Sequence, residues 1–499
     1  MPSVKNEKGA KPIEFHTFSY GCLSLFIDTY FTSNKKEVLF LSPVLSAIIA
    51  NDGVVSSLVD IDEKDISYYT KKYLMLKEAG YFEYSKENKE ERITKELLEK
   101  SLANSKHIIF ETTECCNLRC KYCGYSDIYS TFEERGKQNL SFSKAKRFLD
   151  FMYEKWNSSL NISFNKRLTI SFYGGEPLMN FPFIEQVVNY VSKWKLKNNY
   201  ISFSMTTNGT LLDKYIDFLV KWNFNLFISI DGNKYHNVFR VYANGKESFE
   251  NVYDNILLIK NQYPAYFKKN VNFNSVFHKR SSFVDVSNFF QKEFDKNLLF
   301  LPLNTFGVIK EKENKFKQLY KNPTDALDSE SLCHPEVKEL FSSAIGKLIS
   351  FFNYYNSNLF PDYNSLRFKI SNAILPTGTC IPLQNRIYVS TSGKLLPCER
   401  VGSNFVMGEV FDDHVDIYYE KVIKYYNDMY KKVTSELCNK CRNIFCKSCL
   451  FTMKEENKKL QCGKFLSEKG FNLYITSLME EYEENPRIIT NFIASLNNV

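Results

Sequence analysis

Three cysteines that lie close together constrain this chain more than any other sequence feature. Cys116, Cys120 and Cys123 follow an apolar run at residues 107–110, which predicts a buried strand leading into a cysteine-rich loop. Soft thiolates select iron–sulfur clusters or zinc, and three ligands leave one position open, as in catalytic metal sites. The same spacing could instead place small buried side chains on one face of a helix. That alternative is weaker because the chain has 13 cysteines, and most of them remain to be explained.

Length and composition exclude several classes of protein. A chain of 499 residues predicts about two to four domains. No apolar run approaches the roughly 18 to 20 residues that span a bilayer, and no apolar signal segment follows the amino terminus. We therefore expect a cytoplasmic protein without a membrane partner, in which cysteines serve metal binding or catalysis. The net charge of +8 is too diffuse to indicate a nucleic-acid partner.

From residue 106 onward, apolar runs alternate with amphipathic stretches. The predicted strands lie at residues 107–112, 168–173, 200–206, 225–230, 271–276 and 298–303. The predicted helices lie near residues 143–156, 182–195, 211–222, 247–262 and 283–293. Repeated strand–helix units form parallel strands with helices outside, either as an open sheet or as a barrel.

Polar motifs stand where the predicted strands end. The cysteine loop follows the first strand, and the next three strands end, in order, at Gly174, Gly175 and Glu176, at Thr207 and Asn208, and at Ser229 and Asp231. The carboxyl ends of parallel strands meet at one edge of the sheet, where α/β proteins carry their active sites. Four separate motifs therefore predict one pocket.

Each of these residue types has a chemical use. Paired glycines let the backbone approach a ligand, and Glu176 could accept a hydrogen bond from a ligand ammonium. Asn208 could bind sugar hydroxyls or simply form a turn. Ser229 and Asp231 are two apart on a strand, so they share a face and could reach one polar ligand. Arg240, in the following loop, could bind a carboxylate or remain in solvent.

Seven cysteines after residue 376 have spacings typical of metal sites. They are Cys380, Cys398, Cys438, Cys441, Cys446, Cys449 and Cys462. Two pairs are each separated by two residues, which suits tight metal-binding turns, and zinc is the main competitor to iron–sulfur clusters. Residues 387–390 and 394–396 predict a hairpin that ends just before Cys398.

The first 100 residues predict a small module of mixed structure. Residues 15–27 are predicted to form a strand pair, and residues 38–41 another strand. Ser42 and Pro43 are typical of the start of a helix, which is predicted to run through Ile49. A second helix is predicted over residues 62–79. This order indicates a winged-helix-like module, or alternatively a cap over the next domain.

In combination, these motifs resemble the radical S-adenosylmethionine enzymes, and within them the SPASM subgroup that modifies peptides and proteins. The resemblance implies an α/β fold with a partial (β/α)6 TIM-like barrel, in which Cys116, Cys120 and Cys123 hold a [4Fe-4S] cluster that binds and cleaves S-adenosylmethionine. It also implies the residues that contact this cofactor. Tyr122 would contact the adenine, Gly174 to Glu176 the methionine amine, Ser229 and Asn208 the ribose region, and Arg240 the carboxylate, with Thr207 and Asp231 in the same site.

The same resemblance implies two auxiliary [4Fe-4S] clusters in a carboxyl-terminal SPASM domain. The first would use Cys380, Cys398 and Cys449, and the second Cys438, Cys441, Cys446 and Cys462. Two of the gaps between these cysteines are one residue shorter than in the family, and one cysteine found in some members is absent. The first cluster therefore either has an open iron or takes Cys333, and Cys22 and Cys115 are left without a ligand role.

The resemblance divides the chain into five segments. They are a winged-helix-like leader-peptide-binding domain of the RRE type at residues 1–100, the barrel at 101–310, a helical connector at 311–375 with a helix at 336–355, the SPASM domain at 376–468 and a terminal helix at 469–499.

The implied function is modification of a ribosomally made precursor peptide. A 5′-deoxyadenosyl radical would take hydrogen from a core residue, and a thioether or carbon–carbon crosslink would form. The implied reductant is a flavodoxin- or ferredoxin-type protein. The alternatives are a sulfatase-maturating, formylglycine-generating enzyme, a peptide epimerase, and a zinc or iron–sulfur binding protein without turnover. The sequence does not identify an acid or a base.

Overall fold

The computed structural model describes four strands before residue 51 and then two longer segments of the chain. These are residues 93–330 and 379–467, with gaps at 131–135, 164–165, 306, 324, 327–329, 402–404, 442–448, 457–458 and 464. The chain forms two compact units. The barrel unit comprises residues 91–337 and 380–428, and the second unit comprises residues 1–90, 338–379 and 429–499. None of the described helices combines the length and hydropathy that crossing a bilayer requires.

The second unit begins with a four-stranded antiparallel sheet. Its strands are β1 (His16–Phe18), β2 (Leu25–Phe31), β3 (Glu37–Phe40) and β4 (Ile48–Ala50), in that order. The predicted strand pair and the third strand are confirmed. The helix predicted through Ile49 is wrong at its end, because Leu39 of β3 pairs with Ile49 of β4. Two consecutive β-branched isoleucines fit a pleated strand better than a helix.

The barrel unit contains six consecutive parallel strands. They are β5 (His107–Thr113), β6 (Lys166–Gly174), β7 (Asn199–Thr207), β8 (Asn225–Ser229), β9 (Val271–Phe277) and β10 (Leu299–Pro302), side by side in chain order. All five predicted helices are present. The helices of this chain are α1 (Lys95–Ala103), α2 (Phe142–Asn157), α3 (Phe181–Val191), α4 (Leu212–Lys221), α5 (Phe249–Gln262), α6 (Pro264–Asn270), α7 (Phe283–Phe294), α8 (Glu313–Leu319) and α9 (Tyr419–Glu436), as far as the chain is described.

The two faces of the parallel sheet differ in chemistry. Phe110 of β5 and Phe172 of β6 are fully buried and make edge contacts with Phe183 of α3, so this face packs against helices. Alternate residues point to the opposite face. There, His107 Nε2 lies 2.5 Å from Ser171 Oγ, and Ser171 contacts Ser204 of β7. We call this opposite surface, which carries these polar residues together with apolar ones such as Ile109, the inner face.

Four short strands extend the sheet beyond β5. They are β11 (Ile387–Val389), β12 (Lys394–Leu396), β13 (Gly408–Val410) and β14 (Val415–Ile417). β11 lies parallel to β5 and pairs Val389 with Phe110, while the remaining neighbours are antiparallel. The predicted hairpin is therefore confirmed, and it belongs to the same ten-stranded sheet as the parallel strands.

The α/β class is confirmed, and the six parallel strands are consistent with the partial barrel. The winged-helix and SPASM identities, and the five segment boundaries, stay predictions. The helices predicted at residues 62–79, 336–355 and 469–499 lie outside the described residues. Helix α1 was not predicted, although Thr94 caps it by accepting from Leu97 N at 3.2 Å. In the second unit, β15 (Lys454–Glu456) and β16 (Lys459–Gln461) form a further hairpin.

Candidate functional site

The three leading cysteines share one loop at the carboxyl end of β5. No helix forms over residues 114–124, so the helical-stripe alternative is wrong. All three side chains are half-buried. Burial raises the pKa of the Cys120 thiol to about 12; Arg240 opposes this rise, and the sulfurs of Cys123 and Cys116 add to it. Cys116 and Cys123 therefore each lie close enough to Cys120 to affect the charge on its sulfur.

The two glycines at the end of β6 pack directly on the cysteine loop. Gly175 N donates to Thr113 O at 2.8 Å, and Glu176 N donates to Cys115 O at 2.8 Å. A Cβ on residue 175 would lie 2.0 Å from Cys115 O, and one on Gly174 would lie 2.4 Å from Thr113 O. Gly174 also has φ of +123°, which side chains rarely allow. The glycines thus permit close approach to the loop that carries the cysteines.

Glu176 joins this turn to the end of β7. Its fully buried carboxylate accepts from Thr207 Oγ1 at 2.7 Å, from Asn208 N at 2.7 Å and from Leu178 N at 3.2 Å. Burial raises its pKa to about 7, against these three donors. Both oxygens are engaged by donors of the chain itself, so a role toward a ligand ammonium stays a prediction.

Asn208 points toward the cysteine loop. Its Nδ2 lies 3.7 Å from Cys116 Sγ and donates to Asn117 Oδ1 at 2.8 Å. Its Oδ1 accepts from Thr210 N at 3.0 Å and from Thr210 Oγ1 at 2.6 Å. The predicted ribose contact of Asn208 is not tested by this arrangement, in which its amide already has partners.

Asp231, Arg240 and Tyr122 form one buried group. Arg240 Nη2 donates to Asp231 Oδ1 at 3.0 Å, and the Tyr122 hydroxyl donates to Asp231 Oδ2. His278, which sequence reasoning missed, stacks on the Tyr122 ring and places Nε2 3.6 Å from Asp231 Oδ2. Burial alone would raise the pKa of Asp231, but Arg240 and His278 hold it well below its usual range. Asp231 is therefore a buried anion.

Several buried polar atoms in and beside this group have no hydrogen-bond partner within the described part of the chain. Two of them are Arg240 Nε and Asn274 Oδ1. Asn274 of β9 lies opposite Ser229, the half-buried last residue of β8. A donor and an acceptor without partners suit a polar ligand at this edge, because buried polar groups are normally paired.

A second acidic residue was missed at the end of β5. Glu111 is buried, and it accepts from Tyr125 of the cysteine loop at 3.0 Å and from Thr391 N, between β11 and β12, at 3.1 Å. Burial raises its pKa. A carboxylate directly after the apolar run Ile108 to Phe110 was the signal that could have identified Glu111.

The carboxyl-terminal cysteines are divided between the two units. Cys380 and Cys398 belong to the barrel unit; Cys438, Cys441, Cys449 and Cys462 belong to the second unit, and Cys446, Cys333 and Cys22 lie outside the described residues. In the second unit, Cys441 N donates to Cys438 O at 3.1 Å, and Leu466 N donates to Cys441 Sγ at 3.3 Å. Backbone N–H groups directed at sulfur are typical of cysteine metal sites. Both auxiliary clusters stay predictions.

The cysteine loop fits a [4Fe-4S] cluster by its donor set and by its packing. Over the described segments, no three His, Cys, Asp or Glu side chains are grouped to hold a single metal ion. A cubane cluster binds each thiolate through a different iron, so three thiols on one loop suit it without such a grouping. Arg240 Nε has no partner among the described residues, so it suits an anionic group of a cofactor bound next to the cluster.

Comparison with known proteins agrees with this chemistry. Residues 110–280 match the family profile of the Radical SAM superfamily. The chain is 33% identical over 192 residues to a cysteine-type anaerobic sulfatase-maturating enzyme of Clostridium novyi, covering 38% of this chain and 48% of that protein. It is 33% identical over 162 residues to the radical SAM cyclopropyl synthase TigE of Paramaledivibacter caminithermalis, covering 30% and 32%.

Among solved structures, the fold is similar to that of native anSMEcpe with bound AdoMet and Cp18Cys peptide. That likeness has 23% identity and a TM-score of 0.49, over 79% of this chain and 100% of the other. The chain spans less than half the length of the curated relatives it matches.

Proposed function

We propose that this chain, whose residues 110–280 form a radical SAM domain, is a radical S-adenosylmethionine enzyme that modifies a ribosomally made precursor peptide. The observation that carries the proposal is the cysteine loop, which carries three half-buried thiols and against which the Gly174–Gly175 turn packs. The names of the two relatives, a sulfatase-maturating enzyme and a cyclopropyl synthase, support a peptide or protein substrate and a radical reaction.

In this proposal Cys116, Cys120 and Cys123 hold the [4Fe-4S] cluster. With S-adenosylmethionine bound and one electron supplied by a flavodoxin- or ferredoxin-type protein, the cluster would supply a 5′-deoxyadenosyl radical that takes a hydrogen atom from the substrate. Asp231 holds Arg240 through Nη2, which leaves Nε as a donor for the carboxylate of the cofactor. Glu176 fixes the turn at the end of β6 to the end of β7.

The inner face supports a peptide substrate. His107, Ser171 and Ser204 form a polar row across three strands, and Asn274 adds an acceptor without a partner among the described residues. A peptide brings backbone N–H and C=O groups that need partners wherever water is excluded. The polar residues of the inner face provide such partners.

The product we propose is a thioether or carbon–carbon crosslink. The word cyclopropyl in the name of one relative denotes carbon–carbon bond formation, which supports the second form. The auxiliary clusters at the carboxyl-terminal cysteines would take the surplus electron or hold a substrate thiolate. The antiparallel sheet at residues 16–50 supports leader-peptide binding, because an edge strand can accept a further strand.

A second candidate function is sulfatase maturation, in which one Ser or Cys of a protein is oxidised to formylglycine. The relative from Clostridium novyi carries that name at 33% identity, which is the observation that favours this candidate. The two functions differ in substrate and in product, so one experiment separates them.

The test uses the full chain, purified and reconstituted without oxygen. With dithionite and S-adenosylmethionine it should form 5′-deoxyadenosine, and a peptide encoded beside its gene should lose two hydrogens per modification. Conversion of a Ser or Cys in a sulfatase peptide would favour the second candidate. A peptide whose mass is unchanged in ordinary water but rises in deuterated water would indicate epimerisation. The Cys116→Ala variant should form no 5′-deoxyadenosine, whereas the neighbouring Cys115→Ala variant should retain it. Absence of 5′-deoxyadenosine in the unaltered protein would overturn the proposal.

A further inference from the structure

The amide of Asn208 is held in a closed ring of hydrogen bonds beside a proposed cluster ligand. Asn208 Nδ2 donates to Asn117 Oδ1 at 2.8 Å, Asn117 Nδ2 donates to Thr210 Oγ1 at 2.8 Å, and Thr210 Oγ1 donates to Asn208 Oδ1 at 2.6 Å. One Nδ2 hydrogen of Asn208 is used in this ring. The other is available to Cys116 Sγ, which lies 3.7 Å from Nδ2.

The orientation of this amide is fixed by the backbone. Thr210 N donates to Asn208 Oδ1 at 3.0 Å. Exchange of the amide oxygen and nitrogen would set an N–H against this backbone N–H, and it would also break the bond to Asn117. Asn208 is 8% exposed, so water does not replace these partners easily. The ring therefore directs an N–H, and not an oxygen, at the sulfur.

We propose that Asn208 is a positioning residue that acts through Cys116 and raises the reduction potential of the cluster. This inference rests on the proposed function. A one-electron reduction adds negative charge that the cluster shares with its thiolate sulfurs, and a hydrogen bond to sulfur stabilises the more negative state. Leu118 N already donates to Cys116 Sγ at 3.4 Å, so the Asn208 amide supplies a second donor. Asn117 and Thr210 act by holding that amide in place.

The test is a redox titration of the reconstituted full chain with dithionite, followed by electron paramagnetic resonance in the absence of S-adenosylmethionine. Without the cofactor, a ribose contact cannot contribute to the potential. Asn208→Ala should lower the ratio of reduced to oxidised cluster about tenfold at a fixed solution potential, which is about 59 mV for one electron. Asn117→Ala and Thr210→Val should lower this ratio by less, because the Asn208 amide remains and only a hydrogen bond that orients it is lost.

Asn272→Ala is the matched control. Asn272 is a half-buried amide on β9, and its Nδ2 donates to backbone carbonyls 3.5 and 3.4 Å away, at Leu226 and Asn270. The reduction potential of the cluster in Asn272→Ala should equal that in the unaltered protein. If Asn208→Ala does not assemble a cluster, Asn117→Ala and Thr210→Val decide the question.

Two results would overturn the inference. One is an unchanged potential in all three variants of the ring. The other is weakened binding of S-adenosylmethionine with an unchanged potential, which would assign Asn208 to the ribose instead. A cluster that assembles and cleaves S-adenosylmethionine, with a potential indifferent to Asn208, leaves the proposed function intact. Failure of the unaltered protein to assemble any cluster counts against the proposed function and the inference together.

Discussion

Asp231 and Arg240 form an ion pair that is shielded from solvent. Their side chains are 0% and 9% exposed, and Arg240 Nη2 lies 3.0 Å from Asp231 Oδ1. The same carboxylate accepts from Val276 N at 3.0 Å and from the Tyr122 hydroxyl, which stands between two of the clustered cysteines. One anion therefore fixes the loop after β8, the strand β9 and the cysteine loop relative to one another.

We expect Asp231→Asn to lower the free energy of unfolding by about 3 to 5 kcal/mol. The substitution leaves the Arg240 charge buried and without its counter-ion, which is the costly way to break a buried pair. Urea denaturation of the protein without its cofactors measures the change. Glu250→Gln, which removes one partner of the exposed Lys234–Glu250 pair, should change stability by no more than about 1 kcal/mol. Equal losses in the two variants would contradict the prediction.

The Gly175→Ala substitution should destabilise the cysteine loop by steric conflict. A Cβ at this position would lie 2.0 Å from Cys115 O and 2.7 Å from Glu114 O, and backbone atoms cannot move aside as a side chain can. We expect a loss of at least about 2 kcal/mol in the free energy of unfolding, together with reduced iron content after reconstitution. Gly463→Ala is the control for the free energy of unfolding, since no atom of the described residues other than its chain neighbours lies within 4 Å of its Cβ position. Full iron content in Gly175→Ala would show that the loop tolerates the displacement.

Much of the fold could be predicted because the hydrophobic period is local. All six parallel strands and five of their helices follow from it. The pairing of β11 with β5 could not be predicted, because it joins residues about 280 positions apart through tertiary packing, as in the pair Val389 and Phe110. The segment ending at Ile49 was assigned to a helix from its start signals, and its pairing with β3 overrode them.

The site shows the same division between local and tertiary information. The motifs at the strand ends identified Asp231 and Arg240 singly, as ligand contacts, but their mutual ion pair depends on the folded loop. His278 follows β9 directly, so the rule that located the other motifs also pointed to it. The engagement of both Glu176 oxygens by the end of β7 could not be read from sequence, because it depends on how two strand ends approach each other.

The lowered pKa of His107 predicts that the folded protein loses stability in acid. Burial, followed by the charge of Arg386, lowers its pKa to about 4, and Glu399 opposes this. The unfolded chain therefore binds more protons between about pH 6.5 and pH 4, and stability falls as the pH falls through that window. His107→Gln should remove this contribution, which is roughly 2 to 3 kcal/mol at pH 4. Thermal unfolding across pH 4 to 7 measures it, and parallel pH profiles for the two proteins would contradict the prediction.

The raised pKa of Glu176 predicts that stability depends on pH with the opposite sign over nearly the same range. Its pKa rises from 4.5 to about 7 in the folded protein, so the folded state binds more protons between these values. The contribution of Glu176 to stability is therefore fully present below about pH 4.5 and declines as the pH rises toward 7. The Glu176→Gln variant keeps only one of the two acceptor oxygens, which lowers its stability at every pH, but it lacks the titrating group. Relative to the unaltered protein, its free energy of unfolding should rise by roughly 3 kcal/mol between pH 4.5 and pH 8. The measurement uses the same buffers as that of His107→Gln. The contributions of His107 and Glu176 nearly cancel in the unaltered protein. The slope of stability against pH should therefore be negative in His107→Gln and positive in Glu176→Gln. The same sign in both variants would refute one of the two assignments.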